Sequence, residues 1–179
     1  MTSNTMTGND LQFGFANLGD VPRLAALIER AYRGPEAATG WTNEAALLTG
    51  PRSSPAEIES LIRAPDSRFV TAVDGDRLVG CALLQKTGDG AYFGMLAIDP
   101  GQQGGGLGKA MIAQCEVTAR ELWGARSMHL TVISLRDKLI GWYERRGFAR
   151  TGRREPFPFD SATGALRTDF DPIVLEKPL

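Results

Sequence analysis

Apolar residues recur along the chain with two different periods, and the switches between them mark out strands and helices. Leu11 to Ala16 reads as a short strand weakened by Gly14. Leu24, Leu27, Ile28 and Ala31 form a helical stripe, with Asp20 placed to cap it and Pro22 in its first turn; Arg33-Gly34-Pro35 ends it. Residues 36–54 lack a period, apart from a turn of helix expected over Ala45 to Leu48. Ser54-Pro55-x-Glu57 then reads as a capped start for a helix through Ile58, Leu61 and Ile62. Three strands follow, Phe69 to Val73, Leu78 to Leu84 and Ala91 to Ile98, separated by the turn signals Asp74-Gly75-Asp76 and Thr87-Gly88-Asp89-Gly90. The third is nearly all apolar, as a strand covered on both faces should be; its Gly94 marks a bulge or a close ligand approach.

The helical period returns with Leu107, Met111, Cys115, Thr118 and Leu122, and Gly124 closes that helix. Met128 to Ile133 is the next strand, so strand, helix and strand make a βαβ unit whose two strands run parallel. A final helix covers about Arg136 to Arg146, with Gly147 as its left-handed cap. Phe148 to Thr151 and Ile173 to Leu175 are closing strands, and Arg153 to Asp171 is mostly loop. Residues 1–10 are polar and read as a mobile tail, and residues 11–179 as a single domain without internal repeats.

Between the third strand and the long helix lies the densest signal in the chain. Five of the eight residues from Gly101 to Gly108 are glycine. Such a loop can turn successive N–H groups toward one point, and the helix behind it adds its unpaired N-terminal amides and the positive end of its dipole. The combination suits a phosphate or pyrophosphate. A P-loop fails here, because Gln103 stands where its first glycine should be and Ala110 where its hydroxyl should be. The dinucleotide fingerprint, glycine at i, i+2 and i+5, fits no start in the loop. Gln103-x-x-Gly106-x-Gly108 does describe it, with Pro100 three residues earlier.

Composition narrows the class without choosing the chemistry. The chain of 179 residues is 42% hydrophobic and 23% charged with net charge −1, which gives no electrostatic pull toward nucleic acid or an anionic membrane. The N-terminus has no apolar core of a secretory signal and no apolar run reaches a membrane span, so a cytoplasmic location is expected. Cys81 and Cys115 sit in apolar patterns as reduced core residues, and one histidine without a Cys/His cluster argues against a metal site.

Gln103-x-x-Gly106-x-Gly108 at a strand-to-helix junction resembles the acetyl-CoA signature of the GNAT superfamily of N-acyltransferases. Leu139-Ile-Gly-Trp-Tyr-Glu-Arg-Arg-Gly-Phe148 is similar to that family's terminal helix, which ends in Tyr, three residues, then Gly-Phe. The order of elements follows the same family from about residue 11 to 151. Ala31–Gly34, Gly40–Ala45, Arg136–Arg146 and Glu155–Pro158 further resemble a bacterial and fungal subgroup, a likeness that brings no acceptor with it.

The resemblance implies a mixed α/β fold. Its sheet would be mostly antiparallel, with a parallel splay between strands 91–98 and 128–133 and helices on both faces. Acetyl-CoA would lie in that splay. Leu96, Ala97 and Ile98 would offer backbone groups to the pantetheine arm, with an amide near Leu96 or Ala97 polarising the thioester carbonyl. Gln103, Gly104, Gly105, Gly106, Leu107 and Gly108 would surround the pyrophosphate, with charge added by Lys109. Tyr143 would serve as general acid toward the sulfur, a phenol of pKa about 10 facing a thiol of about 8.5. Where the family often has a cofactor-contacting Asn seven residues before this tyrosine, the chain has Arg136. Trp41, Thr42 and Glu44 fall in the loop on the acceptor side, where they either shape access or anchor the loop; Phe157 and Phe159 pose the same choice. Glu44 and Asp99 are candidate bases, open equally to a surface role and a strand-end turn role, and neither is assigned the proton. His129, inside an apolar strand, reads as structural.

The expected reaction is acetyl transfer to a primary amine on a small molecule or peptide, by direct attack and without a metal. Two other readings stay open: an acyl-CoA-binding regulatory module without turnover, and a phosphate-binding fold unrelated to acetyl transfer. A homodimer is open by analogy with the superfamily alone.

Overall fold

The computed structural model describes residues 11–33, 35, 44–157, 159 and 164–179. The expected tail, residues 1–10, lies outside them, as do Trp41 and Thr42. The described chain folds as one seven-stranded sheet in the order β1-β2-β3-β4-β5-β7-β6, layered between two pairs of helices.

The first half is built as the apolar periods require. Strand β1 (Leu11–Phe15) pairs antiparallel with β2 (Ser67–Asp74), which pairs with β3 (Arg77–Thr87). Helix α1 (Val21–Tyr32) and α2 (Pro55–Arg63) cover one face of this sheet. They bury Leu24, Leu27, Ile28 and Ile58 against Phe69, Cys81 and Leu83. Ser54 caps α2 as expected, its Oγ accepting from Glu57 N–H at 3.1 Å. Asp20 does not cap α1. Its carboxylate takes the Asn17 N–H at 2.7 Å and Arg23 at 2.8 Å, while Asn17 caps a short 3-10 turn over Leu18–Asp20 that leads into the helix. Residues 45–47 form a turn, and Leu48 bridges to Ala165.

On the other face, α3 (Leu107–Trp123) and α4 (Asp137–Glu144) pack over β3, β4 (Gly90–Ile98) and β5 (Ser127–Ile133). Leu107, Met111, Cys115 and Thr118 are buried as the stripe predicts, but Leu122 is exposed and Ala119 takes its place. Gly124 and Gly147 both adopt the left-handed conformation that ends a helix. β6 (Ala149–Arg154) runs three residues further than its apolar content suggests, because its pairing with β7 (Pro172–Pro178), and not burial, defines it.

One irregularity opens the sheet. β4 and β5 run parallel, and they pair only at Ala91–Met128 and Tyr92–His129. Beyond Tyr92 the strands diverge. On its other edge β4 carries a bulge, since Gly94 pairs with Leu83 and Ala97 with Cys81, leaving Met95 and Leu96 opposite Ala82 alone. Met95 holds φ at +47°, the one left-handed non-glycine among the described residues. Such a backbone is sparsely populated and survives where neighbours fix it. Tyr32 of α1 is one of those neighbours, donating its hydroxyl to the Leu96 carbonyl at 2.9 Å in the core.

Candidate active site

The glycine loop is held from below by Asp99. Its carboxylate accepts from Gly101 N–H at 2.9 Å and pairs with Arg77 at 2.8 Å and Arg30 at 3.3 Å. Burial alone would raise this carboxyl; the Gly101 amide and the two guanidiniums outweigh it and hold the group below its ordinary value. Asp99 thereby fixes where β4 ends and the loop begins. Gln103 then reaches back, its Nε2 donating to the Ile98 carbonyl at 3.3 Å.

Gly104 and Gly106 hold φ at +86° and +85°. A Cβ at either would meet no atom within 4 Å, so conformation and not crowding calls for glycine there. Helix α3 starts at Leu107 without a side-chain cap, and its first helical bond runs from Ala110 N–H to Gly106 O. The amides of Leu107, Gly108 and Lys109 are therefore left for a group from outside the helix. Gly108 is a glycine for a different reason: a Cβ there would stand 3.1 Å from the Trp142 ring.

These features border a cavity of about 350 Å³. Leu96, Ile98, Gln103, Gly104, Gly106, Gly108 and Lys109 line it, all of them singled out by sequence. Gly105 and Leu107 share the loop without lining the cavity, and Ala97 is buried toward α1. The opposite wall comes from α4 and the residues just after it: Leu139, Trp142, Arg145 and Arg146. Sequence reasoning missed these four as site residues. Arg146 lies 3.7 Å over the Trp142 ring and donates to the Trp142 carbonyl at 2.7 Å. Burial and the adjacent Arg145 hold Arg146 below its ordinary value, as expected where cations crowd and an anion would relieve them.

Leu96 and Leu139 also line a second cavity of about 660 Å³, so this pair borders both spaces. Tyr32, Tyr92, His129, Arg136, Tyr143 and Glu44 all face it. Glu44 is 9% exposed and sits among three guanidiniums, with Arg33 at 3.1 Å, Arg136 at 3.6 Å and Arg52 at 3.8 Å. Arg136, weighed as a cofactor contact, thus lies with Glu44 in this second cavity and not with the glycine loop. Phe157 lines the cavity's edge and packs with Phe159 and Phe170, ring centres 5.0–5.1 Å apart, which anchors the late loop. Among the described residues no cluster of His, Cys, Asp or Glu is placed to hold a metal ion.

The comparisons with known proteins agree with this arrangement. The family model described as acetyltransferase (GNAT) family matches residues 35–148, well over half of the chain. The chain belongs to the GNAT acetyltransferase family. It is an enzyme of the acyltransferase class. Among solved structures, the ribosomal-protein-S18-alanine N-acetyltransferase of Escherichia coli superposes with a TM-score of 0.69 at 19% identity, covering 94% of this chain and 93% of that one. A spermidine N-acetyltransferase chimera from Vibrio cholerae gives 0.68 at 20% identity, covering 94% and 95%. Ard1 from Thermoplasma volcanium gives 0.70 at 16%, covering 94% and 97%. Comparison with curated proteins gives no match. At these identities the likeness to solved structures establishes the fold.

Within this GNAT acetyltransferase, Tyr143 is 6% exposed and boxed by Phe93, Trp142 and Phe148, with ring centres 5.1–6.5 Å away. Burial pushes its phenol well above the ordinary value, with Tyr32 adding to the rise. The hydroxyl therefore stays protonated at neutral pH and keeps a hydrogen to donate. Complete transfer to a thiolate, whose conjugate thiol has pKa about 8.5, is uphill for such a phenol unless the same dry surroundings raise the sulfur's proton affinity. His129 is half-buried and lies against Tyr92, rings tilted and centres 5.6 Å apart; burial and Arg153 hold its imidazole below the ordinary value, which favours the neutral form at pH 7. Glu44 and Asp99 are already engaged by guanidinium groups, and Asp99 lines neither cavity. Among the described residues no helix is long and apolar enough to cross a membrane.

Proposed function

We propose that this protein transfers an acetyl group from acetyl-CoA to a primary amine by direct attack, with Tyr143 donating toward the departing sulfur. One observation carries the reading. A glycine-lined cavity and a cavity lined by a buried tyrosine share Leu96 and Leu139, near where β4 and β5 part.

The chain's residues fit the cosubstrate in kind. Gly104, Gly106 and the first amides of α3 would receive a diphosphate, and Lys109, Arg145 and Arg146 would add positive charge around it. The edge of β4 beyond Tyr92, unpaired by β5, offers main-chain groups to an amide-containing arm in the way a strand pairs with a peptide. Bound there, acetyl-CoA supplies an activated acyl carbon. The amine forms the C–N bond as the C–S bond breaks, the amine's proton leaves, and the sulfur departs as thiol. Tyr143 hydrogen-bonds the sulfur as charge builds on it, which is where a preorganised donor contributes most. No covalent enzyme intermediate is needed. Support for an amine as acceptor comes from the family and from folds of the same shape whose names specify alanine and spermidine N-acetylation.

A thiol-release assay against a panel of amines, with product masses checked, tests the reading. Acetylation of at least one amine with stoichiometric thiol release is expected. Acetyl-CoA binding without release across all amine classes would overturn it.

A further inference from the structure

Tyr32, the last residue of α1, joins the two sides of the reaction space. Its hydroxyl donates to the Leu96 carbonyl at 2.9 Å, its own carbonyl accepts from Glu44 N–H at 3.1 Å, and its ring lies 5.0 Å beneath the Arg52 guanidinium. Leu96 borders both cavities, whereas Glu44 and Arg52 line the second alone. The Tyr32 side chain is buried, and burial pushes its phenol well above the ordinary value, so the hydroxyl keeps its hydrogen at neutral pH. The hydrogen bond falls where β4 is least supported. Met95 and Leu96 have no register partner on β3, and β5 pairs with β4 only at Ala91 and Tyr92. Met95 stands at φ +47° there, a backbone that relaxes unless its neighbours over-determine it. Just before it, the Tyr92 ring lies across Gly94, where a Cβ would stand 2.6 Å from the Tyr92 hydroxyl. A buried carbonyl outside the register needs another donor, and Tyr32 supplies one from outside the sheet.

Resting on the acetyl-transfer reading above, we infer that Tyr32 is a positioning residue for that reaction: by holding the Leu96 carbonyl, its hydroxyl fixes the main chain of β4 against which the thioester lies. It acts through the strand and not by touching acetyl-CoA. A carbonyl turned to the phenol keeps its negative oxygen off the thioester oxygen, on which charge builds as the amine attacks. Without the hydroxyl the Leu96 carbonyl must turn toward another donor, and the planar peptide it belongs to turns with it. Because Tyr32 also takes the Glu44 amide, the strand on the thioester side and the segment on the acceptor side are both referred to one end of α1. That helix is anchored in the core by Leu24, Leu27 and Ile28. Tyr32 does not line the glycine-lined cavity, so its loss should slow the chemistry and spare cosubstrate affinity.

Tyr32→Phe removes the hydroxyl and keeps the ring. With the best amine of the panel as acceptor, the single-turnover rate should fall about tenfold, the worth of one hydrogen bond that counts in the transition state. The Kd of acetyl-CoA should stay within about twofold. Thr118→Val is the control: it removes another buried hydroxyl, on α3 and lining neither cavity, and should leave the rate near wild type whatever it does to the melting temperature. Isotope-edited infrared spectra of bound acetyl-CoA, labelled with ¹³C at the acetyl carbonyl, give a readout that a merely structural role would not move. The thioester band should shift on binding to wild type and shift less on binding to Tyr32→Phe, with no amine present. The ¹³C resonance of the Leu96 carbonyl should move in the variant, which checks the contact in the free protein. A rate within about twofold of wild type, an unchanged thioester band or an unmoved Leu96 resonance would overturn the inference while leaving acetyl transfer standing. An equal loss of rate in Thr118→Val would reduce Tyr32 to a stability residue and overturn it too. Wild-type protein that acetylates no amine would instead strike the acetyl-transfer reading, and the inference with it.

Discussion

The two cavities are built from different materials. In the first, one wall is a single contiguous stretch rich in glycine, Leu96 to Lys109, set against four residues of α4 and its end. The second is made of side chains brought from α1, the segment 44–52, β4, β5 and α4. A backbone site is written locally, since glycine at left-handed positions and an uncapped helix start suffice to make it. A side-chain site exists only after tertiary packing, so its chemistry can change by a few substitutions while the fold and the cosubstrate loop stay. Solved structures of the same fold whose names specify different acceptors fit that division of labour.

The comparison can be broken from either side. The largest effect on stability is expected at Glu44. Glu44→Gln removes the carboxylate beneath three guanidiniums, and losing one partner of a buried ion cluster costs about 3 kcal/mol. For a chain of this size that lowers the melting temperature by about 6–12 °C. A drop within a degree or two by calorimetric scan would show that the cluster does not hold the second cavity together. Tyr143→Phe should reduce kcat by about 100-fold, with acetyl-CoA affinity within about twofold, because only a donor to the leaving group is lost. Equal rates would remove Tyr143 from the chemistry. Gly106→Val acts on the other cavity. Forcing a β-branched residue to φ +85° costs about 1–2 kcal/mol, so acetyl-CoA should bind about tenfold more weakly, while the pattern of preference among acceptors is unchanged. If both parameters moved together, the two sites would not be separable.

The smallest effect concerns Asp99, which secures the start of the loop. Its carboxyl titrates lower in the folded chain than its ordinary value of 3.8. Between the folded and unfolded values the unfolded chain binds the extra proton, so stability rises with pH across that window. The contribution is complete above about pH 4–5 and is lost as the pH falls through the folded value. Asp99→Asn should flatten this acid limb in urea titrations from pH 2 to 6; an unchanged limb would mean that Arg77, Arg30 and Gly101 do not stabilise the charged form.

The same contrast explains which parts were legible in the sequence. The strands, helices and glycine loop were readable because each depends on neighbours within about twenty residues, and the parallel β4–β5 pair, joined 37 positions apart at Ala91 and Met128, because a strand–helix–strand run fixes its direction. Seven of the residues singled out on the loop and strand do line the first cavity. Trp142 and Arg146 escaped notice, although their spacing on a predicted helix places them on one side, a signal that was available. Leu122 was misassigned because the stripe drifts around α3 and Ala119, a smaller apolar residue, lies closer to the sheet. Asp20 lost its capping role to Asn17 because a 3-10 turn precedes α1. The clustering of Arg33, Arg52 and Arg136 on Glu44 had no local signature at all. Its members are separated by up to 103 positions and meet only through the fold.

The proposed acetyl transfer requires the glycine loop to hold a coenzyme whose thioester lies in the splay. Isothermal titration of folded wild-type protein with acetyl-CoA, beside NAD and ATP, tests that most directly. One molar equivalent of acetyl-CoA should bind with measurable heat, Gly106→Val should weaken it, and NAD and ATP should give little. Absence of heat with acetyl-CoA, or tighter binding of either nucleotide, would contradict it.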